Sequence, residues 1–302
     1  MTSFARTIAI WKLRTRFLEL GGRTLIMGVI NITPDSFSDG GNFLEPEAAV
    51  ARCIQCLEEG ADILDLGAES TRPGSQAGDP IHAKVSAEEE QQRLLPVLEG
   101  IRKVRPDAVI SVDTYKAATA RAALDAGAEI INDVSGFTWD HAMPSVCAES
   151  HCGVVLMHTR GHPDEWREQA KLPAKELMTL IRTGLSESLL SAEHAGIAAE
   201  SIVLDPGYGF GKKFEENYSV LARQDELLAL ARPLLAGLSR KSFLGHSLAS
   251  LHGGRQAPLE SREVAGIAAL TAAVLRGASI VRVHDVRPAV EAARVADAIL
   301  HG

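Results

Sequence analysis

Residues 60–66 read Gly60-Ala61-Asp62-Ile63-Leu64-Asp65-Leu66, where a glycine follows a helical pattern and precedes a short apolar strand. The same arrangement returns at Gly127-Ala128-Glu129-Ile130 and at Gly277-Ala278-Ser279-Ile280. Glycine suits the left-handed position just after a helix, so each copy predicts a helix end followed directly by a strand. The repeat therefore indicates a chain built from alternating helices and strands.

This alternation covers most of the chain. Eight short apolar runs lie at Leu25–Ile30, Ile63–Leu66, Val109–Val112, Glu129–Ile131, Val154–Met157, Ile202–Leu204, Leu234–Leu238 and Ile280–Val283. Helical patterns lie near residues 47–59, 86–104, 116–126, 141–150, 174–195, 216–231, 260–276 and 287–300. Continuous apolar runs are typical of parallel strands that are buried on both faces. Eight strand–helix units therefore predict an α/β fold, a (βα)₈ barrel of the TIM type.

An open, doubly wound sheet is the alternative fold. Such a sheet usually carries a glycine-rich dinucleotide-binding turn after its first strand, and no G-x-G-x-x-G motif follows Ile30. Ahead of the first run, basic residues alternate with mostly apolar ones over residues 11–17, which predicts an N-terminal β-hairpin. Residues 1–302 contain no linker-like segment and are expected to form a single domain, with its core at about residues 24–300.

The composition of the 302-residue chain is that of an ordinary globular protein, with 46% hydrophobic and 23% charged residues. The net charge is −8, from 31 Lys and Arg against 39 Asp and Glu, so neither nucleic acid nor an anionic membrane surface is expected as a partner. No apolar run approaches the roughly 18 residues that a membrane-spanning helix needs. The four cysteines form no disulfide framework, and the expected location is the cytoplasm.

Polar residues follow every predicted strand. They are Asn31; Glu69, Ser70, Thr71 and Arg72; Asp113 and Thr114; Asn132 and Asp133; His158, Thr159 and Arg160; Asp205; Ser239, Arg240, Lys241 and Ser242; and Arg282, His284 and Asp285. In a βα barrel the carboxyl ends of all the strands open on one face, where such barrels place their chemistry. A single Asp or Asn at such a position could equally be a turn former, but recurrence at eight strands predicts a functional site.

The strand-end residues divide into two chemical groups. Asp113, Asn132 and Asp205 offer acceptors and an amide, which suit a planar heterocycle with a guanidine-like donor edge. A second group suits a phosphate or diphosphate; it consists of the cationic Arg72, Lys241, Arg282 and His284, with Asn31 as a candidate Mg²⁺ ligand. Lys212 and Lys213 are interpreted either as local positive charge or as a solvated pair.

Two further segments are predicted to be loops at the same face. Residues 33–41 are rich in turn formers and contain the aromatic Phe37, so they are interpreted either as a packed loop or as a lid that excludes water. Residues 205–212 are glycine-rich but lack the spacing of a P-loop. Their glycines permit a tight loop with its backbone close to a ligand.

The motifs occur in a recognisable order. They are Met27–Gly41, Glu69–Gly74, Ser111–Thr114, Ile131–Asp133, Leu204–Lys212, Ser239–Ser242 and Arg282–Asp285. Together they resemble the dihydropteroate synthase family of the folate pathway, over about residues 24–300. The first loop and the Ser239–Ser242 segment are the most specific parts of this resemblance.

The resemblance implies a transferase that joins 6-hydroxymethyl-7,8-dihydropterin diphosphate to 4-aminobenzoate, giving 7,8-dihydropteroate and diphosphate, with Mg²⁺ as cofactor and a homodimeric state. The residues implied to hold the pterin are Asp113, Asn132, Asp205 and Lys241. Those implied at the diphosphate are Asn31 with Mg²⁺, Thr71, Arg72, Arg282 and His284. Those implied at the aminobenzoate are Phe37, Pro73, Phe210 and Ser242. The expected catalytic residues are Asp35, Lys241, Arg282 and His284, with Asp35 stabilising the methylene cation.

Two alternatives to this function stay open. One is a related pterin-binding barrel that passes a methyl group from methyltetrahydrofolate to a corrinoid. Such an enzyme would share the Asp and Asn residues but has no use for Arg282, His284 or the Ser239–Ser242 segment. The other is a non-catalytic paralogue that keeps the pterin site without turnover.

Overall fold

Eight parallel strands close into a barrel in this computed structural model, which describes residues 6–32, 46–69 and 85–302. The strands lie side by side in the order β3 (Leu25–Asn31), β4 (Ile63–Gly67), β5 (Val109–Asp113), β6 (Ile130–Asp133), β7 (Gly153–Met157), β8 (Ile202–Asp205), β9 (Leu234–Ala236) and β10 (Ala278–Val283). β10 pairs with β3 and completes the ring. The predicted (βα)₈ barrel of the TIM type is confirmed.

Helices connect the strands on the outside of the barrel. They are α1 (Pro46–Glu59), α2 (Ala87–Val104), α3 (Ala117–Asp125), α4 (Met143–Ser150), α5 (Ala174–His194), α6 (Phe214–Ala222), α7 (Ser242–Ser247), α8 (Glu263–Leu275) and α9 (Val286–His301). The predicted helix-ending glycines have the expected backbone, with φ of +106° at Gly60 and +105° at Gly127. Within the described ranges, none of these helices has the length and apolar character to cross a bilayer.

The predicted N-terminal hairpin is also confirmed. β1 (Ala9–Lys12) and β2 (Phe17–Leu20) pair antiparallel, and Trp11 lies opposite Leu18. The hairpin buries Trp11 and Leu13 against apolar side chains in the barrel interior, and the indole Nε1 of Trp11 donates to the Ser201 carbonyl at 2.9 Å. The hairpin therefore closes the amino-terminal end of the barrel and leaves the carboxyl ends of the strands open.

The predicted helix over residues 216–231 is interrupted. α6 ends at Ala222, Arg223 has non-helical backbone angles, and a 3₁₀ helix follows over Gln224–Leu230. The cause is a set of contacts made by the buried Gln224, whose Nε2 donates to the carbonyls of Ala273 at 3.0 Å and Arg276 at 3.1 Å. These distant contacts fix a side chain that a continuous helix would orient differently.

Candidate active site

The barrel interior changes character halfway along its strands. Its apolar layer contains one residue from each of five strands: Ile63, Val109, Ile130, Val203 and Ile280. Two residues further along the same strands stand Asp65, Ser111, Asn132, Asp205 and Arg282. Because side chains two apart on a strand point to the same face, these polar groups also point into the barrel. A polar layer thus lies directly above the apolar one, at the open end.

A cavity of about 640 Å³ opens above this layer. Its wall includes Asn31, Glu69, Asp113, Phe210, Lys241, Ser242, Arg282 and His284. Seven of these eight are residues that the sequence singled out for binding or catalysis. They come from β3, β5 and β10, from the loops that follow β8, β9 and β10, and from the start of α7. The volume lies within the roughly 300–1,000 Å³ of ordinary small-molecule sites.

Arg282 links two carboxylates across the barrel interior. Its Nε donates to Asp65 Oδ2 at 2.6 Å, and its Nη2 donates to Asp113 Oδ2 at 2.5 Å. Asp65 is fully buried and also accepts from Ser111 Oγ at 2.6 Å and from Asn132 Nδ2 at 3.2 Å. One hydrogen-bonded network therefore joins β4, β5, β6 and β10 at the base of the cavity.

Burial in this network shifts the ionisation of its members. Burial raises the pKa of Asp113 to about 7, with the Asp65 carboxylate adding to the rise and Arg282 opposing it. For Arg282, burial acts to lower the pKa, but Asp65 and Asp113 together raise it above its ordinary value. The guanidinium is therefore always charged, whereas Asp113 can change its charge near neutral pH.

Asp205 lies beside the same network. It is 5% exposed, its Oδ1 accepts from the Gly207 amide at 2.6 Å, and burial raises its pKa. A Cβ atom at Gly237 would lie 3.7 Å from Asp205 Oδ2 and 4.0 Å from Arg282 Cβ, so the glycine leaves space between these two side chains. Asp113 lines the cavity, and Asn132 is joined to it through Asp65 and Arg282. Asp205 lies next to Gly237, which is part of the cavity wall.

Cationic side chains also line the cavity. The Lys241 ammonium lies 4.0 Å from the centre of the Phe210 ring, and Ser242 is the first residue of α7. His284 Nδ1 lies 3.1 Å from the Ser239 hydroxyl, which orients the imidazole. These groups and Arg282 place cationic donors next to the acidic ones, within one pocket.

Lys212 is not part of a solvated pair, which corrects one of the two interpretations. It is 7% exposed, and its Nζ donates to the carbonyl of Gly207 at 2.8 Å and to those of His158 and Phe210 at 3.3 Å each. Nζ also lies 3.1 Å from His158 Nδ1. Burial lowers the pKa of Lys212 to about 7, and burial together with the Lys212 charge lowers that of His158 well below its ordinary value. Lys212 thus closes the loop that carries Phe210.

Two residues near the cavity were given no individual role by the sequence analysis. Asp65 is one, although a single charged residue within the apolar run Ile63–Leu66 is a signal that could have identified it. Glu69 is another: it accepts from Lys116 Nζ and from the Tyr115 hydroxyl, and Lys116 also contacts Glu90 at 3.2 Å. No local pattern predicts those long-range contacts.

Five expected site residues lie outside the part of the chain that the structure describes. They are Asp35, Phe37, Thr71, Arg72 and Pro73. Across residues 6–32, 46–69 and 85–302, no three His, Cys, Asp or Glu side chains are grouped as metal ligands. Asn31, at the end of β3 and on the cavity wall, offers one amide oxygen. That donor set fits Mg²⁺ bound mainly by water and phosphate oxygens, with one or two protein ligands.

Residues 27–284 match the family described as pterin binding enzyme. The chain belongs to this family. The dihydropteroate synthase of Clostridium beijerinckii is 38% identical to this chain over 290 residues, which cover 96% of this chain and 99% of that protein.

Two further proteins are similar to this chain. A structure of Xanthomonas albilineans dihydropteroate synthase with 4-aminobenzoic acid is 38% identical, with a TM-score of 0.84 and coverage of 97% of this chain and 98% of that one. The mitochondrial folate synthesis bifunctional protein of Pisum sativum is 41% identical over 94% of this chain. The chain spans only 55% of that longer protein.

Proposed function

We propose that the chain is a dihydropteroate synthase, a transferase that couples 6-hydroxymethyl-7,8-dihydropterin diphosphate to 4-aminobenzoate and releases diphosphate. The observation that carries the proposal is the grouping of acidic and cationic side chains at the open end of the barrel. Asp113, Lys241 and Arg282 line the cavity, Asn132 joins them through Asp65, and Asp205 lies next to Gly237 on the cavity wall. Membership of the pterin-binding enzyme family, and relatives of similar length named dihydropteroate synthase, support it. The chain is proposed to act as one domain over residues 1–302.

The acidic side of the cavity is proposed to bind the pterin. A pterin presents an amino-pyrimidine edge with adjacent N–H donors, which carboxylates grip through paired hydrogen bonds. Asp205 and Asp113 would accept these bonds, and Asn132 has both a donor and an acceptor for the ring. Lys241 would bind the ring carbonyl and N5 side, since it lines the same cavity as Asp113. A buried site of this kind favours the correct donor pattern strongly, because a wrong ligand leaves carboxylates unpaired.

The cationic side is proposed to bind the diphosphate and promote its departure. The C–O bond between the exocyclic methylene and the diphosphate breaks, and its electron pair leaves with the diphosphate. Arg282 and His284, with Thr71 and Arg72 from the second loop, would take up the developing negative charge. Asn31 would hold Mg²⁺ against the diphosphate, and the bound ion would neutralise charge on the leaving group. Arg282 would also stack on the pterin ring.

The arylamine is proposed to attack the methylene carbon that the diphosphate leaves. Its nitrogen forms the new C–N bond and then loses a proton to solvent, and Asp35 would stabilise the carbocation before the attack. Because an arylamine is mostly neutral, the step depends on positioning rather than on a strong base. Phe210, Phe37 and Pro73 would form the walls of the aminobenzoate pocket, and Ser242 would bind its carboxylate. α7 has only six residues, so the hydroxyl contributes more than the helix dipole.

The assembly and location are proposed on separate observations. α8 exposes an apolar outer face, with Val264 83% exposed, and the neighbouring α9 exposes Val295 and Ile299. Such a patch supports a homodimer formed through these helices. Sedimentation velocity measures the oligomeric state directly. The four free, buried cysteines support a cytoplasmic location.

The direct test is incubation of the purified protein with the pterin diphosphate, Mg²⁺ and labelled 4-aminobenzoate. Labelled 7,8-dihydropteroate is the expected product. Asp205→Ala is expected to abolish binding of the pterin diphosphate in calorimetry, because two acceptor oxygens at the ring edge are lost. Pterin binding without any product would support the non-catalytic alternative, and unchanged affinity of the variant would exclude the role of Asp205.

A further inference from the structure

Asp65 is a fully buried charged group at the base of the cavity, and the proposed reaction does not use it. It lies on β4 between two apolar residues, Leu64 and Leu66, and its side chain has no exposed surface. An isolated buried carboxylate is costly, so its presence needs compensating partners. Asp65 has three of them, and they come from three different strands.

The partners of Asp65 divide between its two oxygens. Oδ1 accepts from Ser111 Oγ at 2.6 Å, and this serine lies opposite Asp65 in the β4–β5 register. Oδ2 accepts from both Arg282 Nε at 2.6 Å and Asn132 Nδ2 at 3.2 Å. Ser111 thus fixes one side of the carboxylate, while the other side orients two residues of the pterin pocket.

Arg282 spans two levels of the strands. Its Nε reaches Asp65, and its Nη2 reaches Asp113, which lies two residues nearer the mouth than Ser111 on β5. A pterin held by Asp113 would compete with Arg282 Nη2 for the same carboxylate. The bond from Nε to Asp65 does not face this competition, because Asp65 is buried below the cavity wall.

We propose that Asp65 is a positioning residue that keeps Arg282 and Asn132 in place while the pterin displaces Arg282 Nη2 from Asp113. This inference rests on the proposed function, since it assigns Asp113 to the pterin. Asp65 itself touches no substrate. In the ligand-free protein Arg282 is held by both carboxylates; in the complex Asp65 alone holds the Nε edge, and the freed Nη edge turns toward the diphosphate.

The test compares the parent with Asp65→Asn, which keeps the size of the side chain but removes its charge. The variant is expected to bind the pterin diphosphate at least tenfold more weakly and to lose at least tenfold in kcat, with the KM for 4-aminobenzoate within twofold of the parent. Asp62→Asn is the matched control, because Asp62 lies just before β4, at the end away from the cavity, where it pairs with Arg23 and accepts from the Ile26 amide. The control is expected to keep all three values.

A second readout separates positioning from general damage to the fold. The Arg282 Nε–H of the ligand-free parent is expected to give an exchange-protected ¹⁵N signal, assigned with Arg282→Lys, and Asp65→Asn is expected to lose it. Retention of that signal together with unchanged pterin affinity in Asp65→Asn would overturn the proposal. If Asp65→Asn does not fold, Ser111→Ala is used instead. This variant is expected to lower the pterin affinity two- to fivefold, and an unchanged pterin affinity would overturn the proposal. Failure of the parent to make dihydropteroate would count against the proposed function, whereas the Nε–H signal tests Asp65 independently.

Discussion

Replacement of Lys212 by methionine tests how the loop over residues 205–212 is held. Methionine has a similar shape but donates no hydrogen bond, so three carbonyl oxygens lose the bond from Lys212. The Gly207 carbonyl still accepts from the Phe210 amide at 3.2 Å. A buried acceptor left unpaired costs about 1–3 kcal/mol. Taking about 1 kcal/mol for each of the three bonds, to Gly207, His158 and Phe210, gives a loss of about 3 kcal/mol.

The same variant carries a pH signature. Burial lowers the pKa of Lys212 from 10.5 in the unfolded chain to about 7 in the folded protein. The unfolded chain therefore holds more protons between these values, and the stability from Lys212 is present above 10.5 and is lost as the pH falls through about 7. The free-energy difference between the parent and Lys212→Met is expected to grow as the pH rises from 7 to 9.

Urea denaturation at pH 7, 8 and 9 measures this difference, and steady-state kinetics measure its functional effect. Because Phe210 belongs to the loop, the KM for 4-aminobenzoate is expected to rise about fivefold. Lys213→Met is the control, since Lys213 makes one exposed hydrogen bond to the Arg167 carbonyl at 2.9 Å and its loss is expected to cost under about 0.5 kcal/mol. A loss below about 1 kcal/mol for Lys212→Met, or a difference that shrinks with rising pH, would refute the reasoning.

Three further predictions concern other parts of the molecule. Because burial raises the pKa of Asp113 to about 7, part of the Asp113 population is protonated at pH 6–7, and a pterin that binds the ionised carboxylate should release that proton at pH 6–7 and not at pH 9. Calorimetry in buffers of different ionisation enthalpy measures the number of protons released, and proton uptake would contradict the prediction. Trp11→Ala should lower the free energy of unfolding by about 3–5 kcal/mol while leaving the KM values unchanged, since the indole fills the closed end of the barrel; altered KM values would show coupling to the site. Asn31→Ala should raise the Mg²⁺ concentration needed for half-maximal activity at least threefold, and an unchanged Mg²⁺ requirement would exclude Asn31 as a ligand.

The sequence predicts the barrel well because the relevant signals are local. Each strand is an apolar run, and a glycine such as Gly60 ends the preceding helix with φ of +106°. The break in the predicted helix 216–231 is different, because it depends on contacts between Gln224 and carbonyls about fifty residues away. No window around Gln224 contains that information.

The site residues also differ in whether a local sequence pattern can predict them. The strand-end pattern brought Asp113, Arg282 and their neighbours to attention, and the structure places them around one cavity. The pattern could not show that the Lys212 ammonium is enclosed by carbonyls of its own loop, because a Lys-Lys pair usually lies in solvent. It also could not show that Arg282 bridges Asp65 and Asp113, since these pairings join residues 217 and 169 positions apart.

The split between an apolar lower half and a polar upper half of the barrel interior bears on how such a protein can change over evolutionary time. Side chains such as Trp11 and Ile63 secure the fold from below, and their replacement should be rejected in a saturation mutagenesis screen for folded protein. Mouth residues such as Lys241 and His284 contribute little to that lower cluster. Exchanges there are expected to change binding and turnover while the folded state persists, so selection on activity and selection on stability act on separate halves of the same barrel interior.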